Sequence, residues 1–414
     1  MNTPKFCFGD ELNIFVGFCK YTYICNMLKG FKYRLYPTKL QSELLNKHIG
    51  SNRFIYNLTL ETKQTAYAGN KVNLSCFDLN KQLPDLKKEL PWLKEINSQS
   101  LQAPIRNLDN AFTNFFKGHA DFPKFKSKHR GSQSFNILQS ILIKNDILII
   151  PKFREGIKIT LHRPTKGLIK QATISRIPTG KYFISILCDT GDSVLDKLPV
   201  KEKSSVGIDL GIKLFLVTSE GEVFDNPKYL RKAESRLKYT QSKYSKYKGN
   251  RTKHRLTILH ENVTNQRKDF LHKASYKLIS ENQTICIEDL NISGMLKNHC
   301  LAQSITDASW STFVTMLEYK AEWYGKNILK IGRFDPSSKT CSECGYINKE
   351  LTLKDREWTC PKCSSFLNRD INAAVNIKSF ALKNYVSGTD TQIQNELPTL
   401  VGVLTSDAPQ LAAG

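Results

Sequence analysis

Residues 204–219 read SSVGIDLGIKLFLVTS, and their pattern decides the fold around them. Val206, Ile208 and Leu210 mark a buried strand, Gly211 a break, and Leu214, Leu216 and Val217 a second strand. Together they predict a tight β-hairpin. Asp209 falls within the first strand, where an unpaired carboxylate costs several kcal/mol unless it is paired or binds a metal. The chain supplies two further acids in similar settings. Glu288 ends an apolar strand in TICIEDL, and Asp370 in NRDINAAVNI opens a run with helical spacing at Ile371, Ala374 and Val375. Two strand carboxylates and one at a helix start can converge on divalent cations at the carboxyl edge of a sheet. Hard, oxygen-seeking ions need such donors for phosphodiester chemistry.

Each acid alone has a plainer explanation: Asp209 capping a turn, Glu288 ending a strand, Asp370 serving as a helix N-cap. Asp289 directly follows Glu288 and competes for its role. Strand alternation puts the two on opposite faces, and spacing alone does not choose between them.

The 414 residues suffice for several domains with cores of their own, and 40% hydrophobic content agrees. Lys and Arg number 61 against 38 acids, a net charge of +23. Such an excess points to a polyanion. No apolar run approaches the roughly 20 residues of a spanning helix, which argues against a membrane-spanning protein. Residues 12–28 are interrupted by Asn13, Lys20 and Asn26 and lack the flanks of a signal peptide. Seven of the 11 cysteines are scattered (Cys7, Cys19, Cys25, Cys76, Cys188, Cys286, Cys300). That usage suits a reducing cytoplasm better than a disulfide scaffold.

Residues 1–26 match nothing around them, and translation starting at Met27 is an alternative. MLKGFKYRLYPT reads as a basic strand closed by Pro37. Residues 39–118 carry helical signals, with Leu44, Leu45 and Ile49 on one amphipathic face. FPKFKSKHRGSQSF then interleaves bases with Phe122, Phe125 and Phe135, as in strands that track phosphates and stack on bases. A solvated basic loop over an aromatic core is the alternative. Short β-rich runs over residues 137–189 suggest a small barrel or sandwich, whose first strand comes from residues 30–36. Residues 228–277 hold fifteen Lys or Arg against Glu234, Glu261 and Asp269, with tyrosines interleaved. So one-sided an imbalance favours phosphate contact over a merely solvated helix pair. Residues 305–326 predict one helix with Trp310, Phe313, Leu317, Ala321 and Tyr324 along its packing face. ILKIG is the next strand.

Cys341-Ser-Glu-Cys344 and Cys360-Pro-Lys-Cys363 are two CxxC knuckles with fifteen residues between them. Four thiolates at that spacing fit one closed, structural zinc site. The ribbon they hold, rich in Lys349, Lys354, Arg356 and Lys362, lies next in sequence to Asp370.

GIDLGIK, IEDLNISGMLKN, DASWSTFVTMLEYKAEWYGK, SSKTCSECG, DREWTCPKC and RDINAAVNI resemble, in order, the successive blocks of TnpB proteins. These are transposon-encoded nucleases of insertion sequences, related to type V CRISPR effectors. YRLYPTKLQ, NRFIYN and FPKFKSK resemble the family's amino-terminal blocks, so the resemblance spans residues 27–378. It implies an α+β multidomain protein: a wedge β-barrel (27–38 and 119–195) with an inserted helical recognition domain (39–118). An α/β RNase H-like, RuvC-type nuclease domain (201–335 and 364–383) follows, with a zinc ribbon (336–363) inserted, and residues 384–414 form a disordered tail.

The resemblance makes Asp209, Glu288 and Asp370 the catalytic triad, holding two Mg²⁺ ions, and favours Glu288 over Asp289. Cys341, Cys344, Cys360 and Cys363 hold one Zn²⁺. Candidate nucleic-acid contacts are Lys124, Lys126, Lys128, Arg130, Arg231, Lys232, Arg236, Arg251, Lys253 and Arg255. The implied partners are a guide RNA from the transposon end and a double-stranded DNA target, met in a prokaryotic cytoplasm at the nucleoid. A DNA-binding transposase or regulator without guided cleavage is the alternative. Ser364 departs from the family, which usually has Gly after the last knuckle.

Overall fold

The computed structural model describes residues 26–129, 133–193, 195–352 and 354–387. Its first strand, β1 (Asn26–Tyr36), buries Phe31, Tyr33 and Leu35 on one face and turns Lys32, Arg34 and Tyr36 outward. After Pro37 comes the helix α1 (Lys39–Asn70), started by a reciprocal cap. The Thr38 hydroxyl accepts from the Gln41 N–H, and the Gln41 side chain accepts from the Thr38 N–H. Then follow α2 (Cys76–Lys81), α3 (Leu83–Glu89), a 3₁₀ turn (Pro91–Glu95) and α4 (Ser98–Phe116).

Six strands follow: β2 (Gln133–Ile137), β3 (Leu142–Lys144), β4 (Ile147–Ile150), β5 (Phe153–Thr160), β6 (Leu168–Arg176) and β7 (Tyr182–Ser193). With β1 they form one antiparallel sheet in the order β2-β6-β7-β1-β5-β4-β3. The four helices are thus inserted between β1 and the rest of its own sheet. The sheet curls, because Phe135 and Ile137 from β2 share a single core with Leu148 and Ile150 from β4, and α1 adds Leu45 and Ile49 to it. Phe135, expected to stack on nucleic acid, is therefore a core residue, only 2% exposed. Once residue 133 enters a strand, alternation carries position 135 inward. Buried His48 joins α1 to the start of α4, with Nδ1 against the Leu44 carbonyl at 2.9 Å and Nε2 accepting from the Asn97 N–H at 3.3 Å.

The second sheet begins with β8 (Ser205–Leu210), β9 (Leu214–Thr218) and β10 (Val223–Asp225), an antiparallel meander. A long helical hairpin follows, α5 (Tyr229–Tyr247) and α6 (Asn250–Glu281), and then β11 (Thr284–Glu288). The short α7 (Ile292–Met295), α8 (His299–Ala308) and α9 (Trp310–Trp323) lead to β12 (Asn327–Ile331). The hairpin β13 (Glu357–Thr359) and β14 (Phe366–Asn368) runs straight into α10 (Arg369–Val386). The sheet order is β10-β9-β8-β11-β12, and β8, β11 and β12 are parallel.

Parallel strands need cover on both faces. On one face Val206, Ile208, Ile285 and Ile287 pack under Leu271, Leu278, Phe313 and Leu317 of α6 and α9. On the other, Cys286, Leu329 and Ile331 pack under Ile377 and Ala381 of α10. The single helix expected over residues 305–326 is two, because Ser309 takes a left-handed conformation (φ 55°) between α8 and α9. Trp310, Phe313, Leu317 and Ala321 are buried as expected, but Tyr324 falls beyond the helix end and is 47% exposed. The break leaves Asp307 free to cap α5 through the Leu230 N–H at 3.0 Å and to pair with Arg267 at 3.0 Å. Among the described residues, no helix is long and apolar enough to cross a membrane.

Candidate functional site

Strand register brings the first two acids together. Val206 pairs with Ile285 and Gly207 with Cys286; Asp209 and Glu288 each lie two residues further along their parallel strands, at the same carboxyl edge. Alternation then fixes the face. Gly207 and Asp209 lie opposite Val206 and Ile208, and Glu288 shares the side of Cys286, so both acids look toward α10. Asp289 departs from this arrangement, its carboxylate meeting Arg333 at 3.5 Å.

Gly207 brings in the third acid. A Cβ at that position would stand 2.0 Å from the Ala374 carbonyl and 2.8 Å from the Lys378 backbone nitrogen, so only glycine lets α10 lie directly on β8. Asp370 lies one helical turn before Ala374 and so arrives over Asp209. Asn368 is the N-cap, accepting from the Asp370 and Ile371 N–H groups at 3.1 and 3.2 Å. This relieves the Asp370 side chain of capping in the first helical turn, where the helix dipole favours an anion.

Electrostatics show the convergence. Desolvation first, and then the nearby Glu288 and Asp370 carboxylates, push the Asp209 carboxyl up to about 7, against the pull of Arg369 and Arg356. Arg356 donates to both oxygens of Asp370 at 3.1 Å, and the Ser337 hydroxyl donates to Oε1 of Glu288 at 2.5 Å. The donors are all oxygen, the chemistry a hard divalent cation takes, although among the described residues only the four cysteines bring their ligand atoms within 4.8 Å of one another.

The four cysteines meet more tightly, their sulfurs all within 4.8 Å of one another. Cys341 and Cys363 stand 3.7 Å apart, Cys344 and Cys360 3.6 Å. Tetrahedral Zn–S bonds of about 2.3 Å imply sulfurs about 3.8 Å apart, so these two separations suit a zinc site. The two knuckles repeat one backbone form. Gly345 N–H donates to the Cys341 carbonyl at 2.9 Å, and Ser364 N–H to the Cys360 carbonyl at 2.8 Å. Both residues are left-handed, with φ of 73° and 57°. Ser364 therefore holds, at a steric cost, the turn a glycine would take freely. Contacts with the Ser365 hydroxyl and backbone hold the Cys363 thiol down to about 6.

The expected nucleic-acid contacts divide. Lys124 and Lys128 are exposed, and Arg130 lies outside the described residues. Lys126 is pinned to α1: Asn57 accepts from its N–H at 2.8 Å and donates to its carbonyl at 2.9 Å, and its ammonium lies 3.9 Å from the centre of the Tyr56 ring. That packing desolvates the amine and lowers its pKa, so Lys126, though as exposed a residue as Lys124 and Lys128, ties the loop to α1. Arg231, Lys232, Arg236, Arg251, Lys253 and Arg255 are all exposed on the α5–α6 hairpin. Among the described residues none of the six has an ion-pair partner, whereas Lys238, Arg267 and Lys273 are paired with Glu234, Asp307 and Asp269. The hairpin's charge is therefore available to phosphate.

Sequence reasoning missed Gly207, Ser337, Asn372 and Asn376, and it named Arg356 only as a ribbon base. A glycine two residues before an acid in an apolar strand signals close backbone approach. Two asparagines four apart in RDINAAVNI share one helix face and signal a polar contact along it.

Three family profiles match successive parts of the chain: a "Helix-turn-helix domain" at residues 27–71, a "Probable transposase" at 185–299, and a "Cas12f1-like, TNB domain" at 310–377. The first region is here a strand and one 32-residue helix. A Streptomyces pristinaespiralis protein named "Putative RNA-guided DNA endonuclease" is 37% identical, covering 89% of this chain and 93% of its own. An Escherichia coli (strain K12) protein of the same name, InsQ, is 30% identical over 84% of this chain and 91% of its own. A "TnpB-like protein" of Acanthamoeba polyphaga mimivirus is 25% identical over 85% of this chain and 73% of its own. The chain belongs to the TnpB (OrfB) family of insertion-sequence proteins. Among solved structures, a Cas12f1–sgRNA–target DNA complex aligns over 85% of this chain and 99% of its own at 17% identity and a TM-score of 0.35.

Proposed function

We propose that this protein is an RNA-guided DNA endonuclease of an insertion sequence, hydrolysing phosphodiesters at Asp209, Glu288 and Asp370. The observation that carries the reading is the parallel register that sets Asp209 and Glu288 at one sheet edge, with the Asp370 helix seated over it on Gly207; burial first, and then the two neighbouring carboxylates, raise the Asp209 carboxyl to about 7. A structural protein gains nothing from such repulsion, whereas a divalent-cation site needs it. The Streptomyces and Escherichia coli relatives, each named "Putative RNA-guided DNA endonuclease", support the same chemistry.

Residues 201–335 and 364–383 would form the RuvC-like nuclease domain, 336–363 its zinc ribbon, 27–38 and 119–195 the wedge, and 39–118 the recognition helices. Two Mg²⁺ ions, when bound, supply a nucleophilic water and steady the departing 3′-oxygen. The protein's part is to orient and enclose. Asp209 and Glu288 come from rigid parallel strands, and Asp370 from a helix seated on Gly207. Arg356 compensates Asp370, and the bare cations of α5 and α6 would follow a phosphate backbone. Guide RNA from the element's end and matched duplex DNA are the proposed partners.

The test is direct. RNA that co-purifies with the full chain is sequenced, and the complex is given duplex DNA matching it, with Mg²⁺. Cutting that Asp209→Ala abolishes while RNA binding persists is the expected result. Specific binding without cutting by the wild-type complex would overturn this reading in favour of a regulator.

A further inference from the structure

Ser337 stands between the two centres and is only 3% exposed. While its hydroxyl donates to Glu288, its carbonyl accepts from Nδ2 of Asn376 at 2.8 Å, and its N–H donates to the Asp335 carbonyl at 2.8 Å. Asn376 and Asn372 are buried on one face of α10, and both donate to the Thr340 carbonyl, at 2.6 and 2.7 Å. Asn372 also accepts from the Ser342 N–H at 2.9 Å. Thr340 and Ser342 flank the first cysteine ligand, Cys341. Short hydrogen bonds thus run without interruption from the cysteine loop, through the helix that begins with Arg369 and Asp370, to the carboxylate of Glu288.

A glutamate at the end of a strand has three rotatable side-chain bonds and can swing its carboxylate away from a neighbouring acid. A serine hydroxyl is suited to stop this. It takes one lone pair of Oε1, leaves the other acceptor sites open, and, being neutral, does not cancel the charge a cation needs. We infer that Ser337 is a positioning residue for the divalent-cation site. It holds Glu288 toward Asp209, and Asn376 and Asn372 hold it in turn against the cysteine loop. The cysteine centre thereby supports the acid site through side chains that ligate neither metal. This rests on the reading of the three acids as a cation site.

The test is Mn²⁺ binding, followed by electron paramagnetic resonance on the full-length protein, with zinc content and melting temperature measured on the same samples. Outer hydrogen-bond partners of ligands typically control metal affinity by about ten- to hundredfold. Ser337→Ala should weaken Mn²⁺ binding by about tenfold or more while keeping one zinc per chain and the wild-type melting temperature. Ser337→Thr, which keeps the hydroxyl, should restore much of the affinity. A purely structural serine would instead move melting temperature or zinc content and leave Mn²⁺ affinity alone. Equal Mn²⁺ affinity in wild type and Ser337→Ala overturns the inference, as does a loss that threonine does not repair. Wild type binding no better than Asp209→Ala overturns the cation-site reading itself, and the inference falls with it.

Discussion

The two constellations of candidate metal ligands are built in opposite ways. The cysteine cluster is assembled within one short ribbon, its sulfurs already at zinc-ligand spacing. The acid site draws one residue from each of three elements separated by long stretches of chain, and its carboxylates repel one another. The first is close to a finished object. The second is held together against its own electrostatics by packing: a glycine where α10 touches β8, strand register, and a serine on Glu288. A structural site can be encoded locally, whereas a site poised to bind cations has to be forced into shape by the surrounding fold.

That contrast can be broken by substitution. Asp209→Ala should have the largest effect, lowering single-turnover DNA cleavage by at least about a thousandfold, equivalent to about 4 kcal/mol of transition-state stabilisation. Filter binding should show RNA affinity unchanged. Next, Cys360→Ser should take zinc below one per chain by atomic absorption. It should also lower the melting temperature, because structural zinc contributes folding energy directly. If the protein keeps its full stability without zinc, the cysteine centre is not the self-contained support described here.

Gly207→Ala asks whether packing alone maintains the acid site. With its Cβ 2.0 Å from the Ala374 carbonyl, the helix must move, at a cost of about 1–3 kcal/mol. Cleavage should fall further than this loss of stability explains, because Asp370 moves with the helix. An alanine variant with normal melting and normal cutting would show that close seating is unnecessary.

The pH dependence sharpens the comparison. Because the Asp209 carboxyl is raised from 3.8 to about 7, the metal-free fold binds one more proton here than the unfolded chain does between about pH 4 and pH 7. This group's contribution to stability is therefore greatest at acid pH and declines as pH rises through that window. Divalent cations need the ionised form. Mg²⁺ binding should accordingly release close to one proton at pH 6 and little at pH 8, as read by calorimetry in buffers of different ionisation enthalpy. Equal release at both values would mean that Asp209 is already ionised at pH 6.

The smallest change is Ser364→Gly. It relieves a left-handed serine in the second knuckle and should stabilise the protein by about 1 kcal/mol in denaturant titrations, with cleavage unaltered.

How much the sequence disclosed follows the same division. Cys341, Cys344, Cys360 and Cys363 were legible because their spacing is itself the geometry. The strands carrying Asp209 and Glu288 were legible as apolar runs, but their spacing did not choose between Glu288 and Asp289; the family resemblance did, and the physical reason, the parallel register with β8, lies in no local pattern. Ser337 and Asn376 were invisible for a related reason: their partners lie 49 and 39 residues away, and small polar residues look alike wherever they occur. Phe135 was misassigned because a basic, aromatic stretch looks the same whether the strand begins before or after it, and alternation then decides which side is wet. Ser309 broke a helix that apolar spacing alone would have continued.

The placement of β1 has a consequence for how the chain is made. It is the centre of the curled sheet, yet it leaves the ribosome before the sheet's other six strands, and Tyr33 must wait for Ile184 and Leu35 for Ile159. At about 5–20 residues per second that interval is roughly six to thirty seconds. During it a strand carrying Phe31, Tyr33 and Leu35 has two open edges while the helical block folds ahead of it. Lys29, Lys32 and Arg34, spaced along the same strand, are then its protection against pairing with a neighbouring nascent chain.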